Sequence, residues 1–217
     1  MCHPWGSCRG FTENDRQKSV TGTIQFLDGA CHLGGICLDS LFLEINYCSS
    51  FHEELNIINF DADLRLHNLE TNEEFSIGYA RFYLFNSYFF SNWFNVVDSA
   101  DAVSGDLHEV LVVLSDFKDE EEIAGKILVL DFIQIHEEYR NQGWGSHAMN
   151  DFLHYWNYMD VNYFALKPAP SATESSGIER RNYIERLIKF YSKFGFTVLQ
   201  SLMVKEPCMG KNLNDLD

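Results

Sequence analysis

One segment restricts the fold more than any other: Ile127 to Trp156, ILVLDFIQIHEEYRNQGWGSHAMNDFLHYW. Its first part, Ile127 to Ile135, is almost continuously apolar and reads as a buried strand. The chain then runs through Arg140-x-x-Gly143-x-Gly145 into a stretch where Trp144, Ala148, Phe152 and Tyr155/Trp156 recur three or four apart, the spacing of an amphipathic helix. A glycine-bearing turn between a strand and a helix lets backbone amides crowd around a phosphate at the positive end of the helix dipole. The segment has the build of a holder for a phosphorylated cofactor.

Two familiar phosphate motifs fail here on residue identity. No Gly-x-x-x-x-Gly-Lys-Ser/Thr occurs at this turn, so a nucleoside-triphosphate loop with its lysine and magnesium-binding hydroxyl is excluded. The dinucleotide fingerprint would need its first glycine where Arg140 or Asn141 stands. The coenzyme A pattern remains.

Strand, Arg140-x-x-Gly143-x-Gly145 turn and helix resemble the acyl-CoA loop of the GNAT superfamily of N-acetyltransferases. A second block, Phe190-Tyr191-Ser192-Lys193-Phe194-Gly195-Phe196, resembles that superfamily's closing helix and turn, and the two blocks stand in the expected order. The resemblance covers residues 124 to 205 and is looser before them. It implies an α/β (α+β) fold, a GNAT-like mixed central sheet covered by helices, whose parallel strands at 127–135 and 162–166 splay apart to hold acyl-CoA. It also implies that backbone groups of Ile133, Gln134 and Ile135 bond the pantetheine arm. Amides from Arg140 through Asn141, Gln142, Gly143, Trp144 and Gly145 to Ser146 would face the pyrophosphate, with the Trp144 side chain turned into the core. The implied cofactor is acetyl-CoA and the implied partner an amine acceptor. An insertion at 92–116 and the ending Leu166-Lys167-Pro168, where asparagine is often found, depart from the pattern, so the chain resembles a divergent member of the bacterial kind.

A chain of 217 residues, 46% hydrophobic, can bury one large core or two small ones, and no Pro/Gly/Ser linker divides it. A single domain is expected: 1–17 loosely ordered, 18–123 an N-terminal half with a hairpin and a helical insertion, and 124–205 the acyl-CoA-binding core. Charges such as Glu44 and Asp131 cut every apolar run short of the ~20 residues that cross a bilayer, and MCHPWGSCRG lacks the apolar stretch of a secretory signal. A cytoplasmic protein without a membrane partner is expected. The formal charge of −16 argues against a nucleic-acid surface. It fits small cationic metabolites or protein amines as acceptors, and equally fits a merely acidic, soluble chain. Cys2-His3-x4-Cys8 and Cys31-His32-x4-Cys37 share one spacing, but zinc knuckles close with a shorter Cys-to-Cys turn, so reduced thiols and no metal are expected.

Along the chain, the stretch from Ser19 to Cys48 is punctuated by Gly29, Gly34 and Gly35 and suggests short strands. Glu54 to Asn68 and Glu74 to Asn86 read as a central hairpin turned at 68–72. Between Asn92 and Asp116 the pattern is helical, with Ser104 at a capped start and Val110, Leu111 and Leu114 on one face. Asp119 to Glu122 is an acidic break. After the turn and its helix come a strand at 162–166, a loop at 171–177, a helix from Ile178 to Phe194 and a strand from Thr197 to Lys205.

Moving an acetyl group from a thioester to an amine needs an unprotonated amine, a polarised carbonyl and a proton for the departing thiolate. By the resemblance of its block, Tyr191 is the candidate general acid. It also lies on the apolar stripe Ile184, Leu187, Ile188, Tyr191, Phe194, and a core tyrosine is the other reading. Asp131, an acid within an apolar strand, is either the base or a buried structural carboxylate, and burial would raise its pKa. His136, Glu137 and Glu138 are weaker alternatives. No Gly-x-Ser-x-Gly elbow or cysteine signature competes, so direct transfer is expected. The expectation is an acetyl-CoA-dependent N-acetyltransferase. Its rivals are a non-catalytic acyl-CoA-binding or protein-interaction module on the same fold and, third, a zinc-stabilised N-terminal half. A homodimer is compatible with the sequence and not derivable from it.

Overall fold

The computed structural model describes residues 41–169 and 177–214, and before them the backbone of three short strands. These, β1 (Gln25–Leu27), β2 (Ala30–Leu33) and β3 (Ile36–Cys37), form an antiparallel sheet of their own. Residues 1–17, with Cys2, His3 and Cys8, and most of the loop at 171–177 fall outside the described residues, as do the side chains of Cys31, His32 and Cys37.

A seven-stranded sheet opens with β4 (Leu41–His52), β5 (Ile57–Asn68) and β6 (Glu74–Asn86), each antiparallel to the next. Alternation sets the two faces. Along β5, Phe60, Ala62, Leu64 and Leu66 are buried, while the intervening Asp61, Asp63 and Arg65 face the other way. On that second face Arg65 Nε reaches Asp63 at 2.5 Å and Arg81 Nε reaches Asp61 at 2.8 Å. The Asn68 side chain closes the β5–β6 turn by accepting from the amides of Glu70 and Thr71. The expected hairpin is therefore two strands of a three-strand meander.

The helical insertion resolves into two helices, α1 (Trp93–Asp101) and α2 (Gly105–Phe117). Asn92 caps the first, accepting from the Asn95 amide at 3.1 Å, and Ser104 caps the second, accepting from the Leu107 amide at 3.1 Å. Their apolar residues, including Val96, Ala100, Leu107 and Leu111, pack on the second sheet face against Tyr83, Phe85 and Ile127. The acidic break at 119–122 is a turn.

The remaining elements are β7 (Lys126–Ile135), α3 (Trp144–Tyr158), β8 (Tyr163–Leu166), α4 (Ile178–Ser192), β9 (Thr197–Leu199) and β10 (Cys208–Asn212). Helix α3 covers the first face, where Phe152 and Trp156 meet Phe82 and Phe60 edge-on at ring separations of 4.9 Å. The sheet order is β4-β5-β6-β7-β8-β10-β9, with β7 and β8 the parallel pair. The strand expected over 197–205 ends at Leu199. The chain returns at 208–212, past the expected limit of the core, and inserts between β8 and β9. Gly210 permits this close fit, because a Cβ there would lie 2.2 Å from the Tyr163 hydroxyl oxygen. Among the described residues no helix is long and apolar enough to cross a membrane.

Candidate active site

Strands β7 and β8 pair only from Ile127 to Leu130 and from Tyr163 to Leu166, after which β7 continues to Ile135 beside β6 alone. The edge of β7 over Ile133, Gln134 and Ile135 thus has no strand neighbour on the β8 side. Phe82 faces Leu130 and Arg81 faces Phe132, so Asp131 is the extra residue of a β-bulge, the device that bends a strand and re-aims a side chain.

Beyond the strand, Asn141 (φ 61°) and Gly143 (φ 90°) take left-handed conformations before α3 begins at Trp144 without a side-chain cap. Among the described residues no acceptor is found for the amides of Asn141, Gln142, Gly143, Trp144 and Gly145, whereas those of Ser146 and His147 bond to Gly143 O. Side chains brace the turn from behind. Arg140 Nε donates to Ile135 O at 2.9 Å and Gln142 Nε2 to Glu138 O at 2.8 Å, so the Arg140 side chain fastens turn to strand. Trp144 is buried in the core as expected, and a Cβ at Gly145 would meet nothing nearer than Phe190 Cζ at 3.8 Å.

Tyr191 lies on α4, 6% exposed, its ring 5.1 Å from Phe190 and 6.1 Å from Phe196. Burial raises its pKa, and no hydrogen bond to its hydroxyl is found among the described residues. Asp131 is half-buried. Burial pushes its carboxyl up, Arg81 pulls it down and Asp106 pushes it up again; no hydrogen bond or ion pair engages it among the described residues. The two stand on opposite faces, Asp131 toward α2 and Tyr191 in the core beneath α3 with Leu130 and Leu166. His136, Glu137 and Glu138 lead from β7 into the turn.

The structure adds residues that sequence reasoning did not gather. Lys167, just past β8, contacts Asp106 and Glu109 of α2, each at 2.6 Å, and Glu206 at 3.6 Å. Arg180 of α4 grips Glu206 through Nε at 2.6 Å and Nη2 at 2.8 Å. Burial alone would lower the Lys167 pKa, but the bonds to Asp106 and Glu109 raise it, and Arg180 holds the Glu206 carboxyl below its ordinary range. Two cavities flank this network. One of about 10 Å³, the size of a water, is lined by Asp131, Asp106 and Lys167. The other, of about 360 Å³, is lined by Ile184, Ile188, Pro207, Arg180, Arg181 and Lys205, among others. The only sequence signal was Lys167 itself, standing out from the expected pattern; its α2 partners lie 61 and 58 residues earlier.

No protein-family profile and no curated protein matches the sequence. Solved structures are similar to the chain. Mosquito arylalkylamine N-acetyltransferase like 5b matches at 8% identity over 71% of this chain and 72% of that chain, with a TM-score of 0.39. Drosophila melanogaster polyamine N-acetyltransferase matches at 10% identity over 71% and 74%, with a TM-score of 0.42. Arabidopsis thaliana NAA60 in complex with acetyl-CoA matches at 12% identity over 79% and 99%, with a TM-score of 0.41. The mixed sheet with a parting parallel pair, expected from the two sequence blocks, is the architecture observed.

Proposed function

We propose that the protein is an acetyl-CoA-dependent N-acetyltransferase that moves an acetyl group directly to an amine. The observation that carries this reading is the turn at 140–146. Consecutive amides without acceptors among the described residues, with Asn141 and Gly143 in left-handed conformations at the opening of a 15-residue helix, make a cradle suited to a diphosphate. Arg140, Asn141, Gln142, Gly143, Trp144, Gly145 and Ser146 would hold that group. The free edge of Ile133, Gln134 and Ile135 would bond the pantetheine arm, with the Ile135 carbonyl shared with Arg140.

When bound, acetyl-CoA supplies an activated thioester whose C–S bond breaks as the amide C–N bond forms. Asp131 takes the proton that the amine nitrogen gives up, directly or through one water in the adjoining cavity, and its raised pKa strengthens it as a base. Tyr191 gives its hydroxyl proton to the leaving sulfur. Burial keeps the phenol protonated until that moment, and among the described residues no hydrogen bond competes for the proton. The acceptor is a small cationic metabolite or a protein amine, drawn in by the acidic field of the chain.

Titration calorimetry with acetyl-CoA, run beside an acetylation assay on an amine panel, tests the reading. Gly145→Glu should abolish binding without unfolding, since ordinary space surrounds that position. Tyr191→Phe and Asp131→Asn should keep binding and lose about 10²-fold in kcat. Binding by the wild type with no turnover on any amine would favour a non-catalytic acyl-CoA-binding module. A folded wild type that does not bind acetyl-CoA would sink both.

A further inference from the structure

Strand β4 stands at one end of the seven-stranded sheet, and among the described residues no strand pairs with its outer edge. All of it, from Leu41 to His52, pairs with β5 without a register shift. Edge strands are ordinarily guarded against other chains by lysine, proline, a bulge or brevity. The opposite edge, β9, is only three residues long. Strand β4, LFLEINYCSSFH, has no lysine, arginine or proline and a single acidic side chain, Glu44, in a chain that is 22% charged. Two copies with a formal charge of −16 each repel least where acidic groups are sparsest, so this edge is open to a second copy.

The strand is also complementary to itself. A two-fold axis perpendicular to the sheet runs the partner strand antiparallel and keeps every residue on its own face, so residues that meet differ by an even number. With the axis at Cys48, Glu44 of one copy meets His52 of the other, Ile45 meets Phe51, Asn46 meets Ser50 and Tyr47 meets Ser49, each twice. A carboxylate then faces an imidazole, and Ile45 covers Phe51, which is otherwise 59% exposed. Tyr47, already stacked on Tyr155 of α3, faces a small serine. Glu44 meets His67 of its own chain through Oε2, and its Oε1 has no partner among the described residues. Moving the axis to Tyr47 would set two Tyr47 rings against each other and turn Glu44 toward Ser50, which loses the charge match.

We propose that β4 is the contact between two copies of this chain, joined edge to edge in one antiparallel sheet, with Glu44, Ile45 and Asn46 of each copy against His52, Phe51 and Ser50 of the other. The inference does not depend on the acetyltransferase reading. The stretch from Glu44 to His52 supplies fewer residues than the roughly 20–30 a side of a standard interface, so a reversible dimer with a dissociation constant on the order of 10 µM is expected.

Sedimentation equilibrium of the full chain over about 1–200 µM provides the test, on the wild type and on two double variants at the exposed positions 46 and 50, with circular dichroism to check that each folds. The wild type should pass from monomer to dimer across that range. Asn46→Lys/Ser50→Lys sets like charges directly opposite each other at two places and should weaken the dimer about ten-fold or more. Asn46→Lys/Ser50→Glu sets opposite charges there and should restore the wild-type constant or improve on it. A wild type that stays monomeric at about 200 µM would overturn the proposal and leave the edge to another part of this chain or to a different protein. A dimer that ignores both variants would place the contact on another face. Weakening by the first variant without recovery in the second would overturn the pairing about Cys48.

Discussion

Burial raises the pKa of the Asp131 carboxyl in the folded state, with Arg81 opposing the rise and Asp106 adding to it. A carboxyl whose folded pKa lies above its unfolded one contributes stability that is full below about pH 4 and is lost as pH rises through the folded pKa. Asp131→Asn should therefore raise the melting temperature at pH 7, with a gain that vanishes near pH 4, while lowering the acetylation rate. Thermal melts across that pH range check it, and a variant less stable at pH 7 would point to a structural carboxylate. Tyr47 offers a comparison away from the proposed cofactor turn. Its hydroxyl is buried with no hydrogen-bond partner among the described residues, its ring stacks on Tyr155 at 4.2 Å, and burial raises its pKa. Tyr47→Phe keeps the ring and removes the unpaired group, and should stabilise by about 1 kcal/mol in urea unfolding. At this scale the sequence exposed Asp131 as an acid among apolar neighbours. It did not expose the bulge, which depends on where β6 pairs across from it.

The elements that were legible carry strong periodicity. Strand β6, helix α3 and helix α4 stand within one or two residues of expectation, because alternating or three-to-four spacing is written locally. Strand β4 is an edge strand whose Leu43, Ile45 and Tyr47 are only partly buried, which blurs its alternation. Strand β10, Cys208-Met-Gly-Lys-Asn212, is too short to show a period and is defined by pairing with β8 and β9. Ser104 was legible as a cap and acts as one. Ser104→Ala should cost about 1 kcal/mol and lower the melting temperature by about 3 °C. Because α2 carries Asp106 and Glu109 to the site, fraying of its first turn should also weaken acceptor binding.

Charge is unevenly distributed over the molecule. Residues 177–214 hold seven of the 16 basic residues and three of the 32 acidic ones, so the stretch bearing α4 is cationic within an anionic whole. Lys167 and Glu206 stitch these regions together. Lys167→Met would leave Asp106 and Glu109 facing each other without their cation and should cost about 1–2 kcal/mol, discounted for the exposure of both carboxylates. Glu206 sets the sign of the pH dependence. Its pKa, held down chiefly by Arg180, means that this pair contributes above the unfolded carboxylate pKa and is lost as pH falls through the folded one, so the cost of Arg180→Met should shrink toward acid pH in urea titrations.

The sequence by itself determined the strand at 127–135, the glycine turn at 140–146 and the helix behind it, because each is encoded by residues within a few positions of one another, whereas the mixed sheet was what the resemblance implied. Only the tertiary structure decided how far β7 runs past β8, that Asp131 and Tyr191 stand on opposite faces of the sheet, and that Lys167 meets carboxylates from α2 and from the loop before β10. Those juxtapositions join segments tens of residues apart. Strand pairing and burial bring them together, and neither leaves a local pattern in the chain.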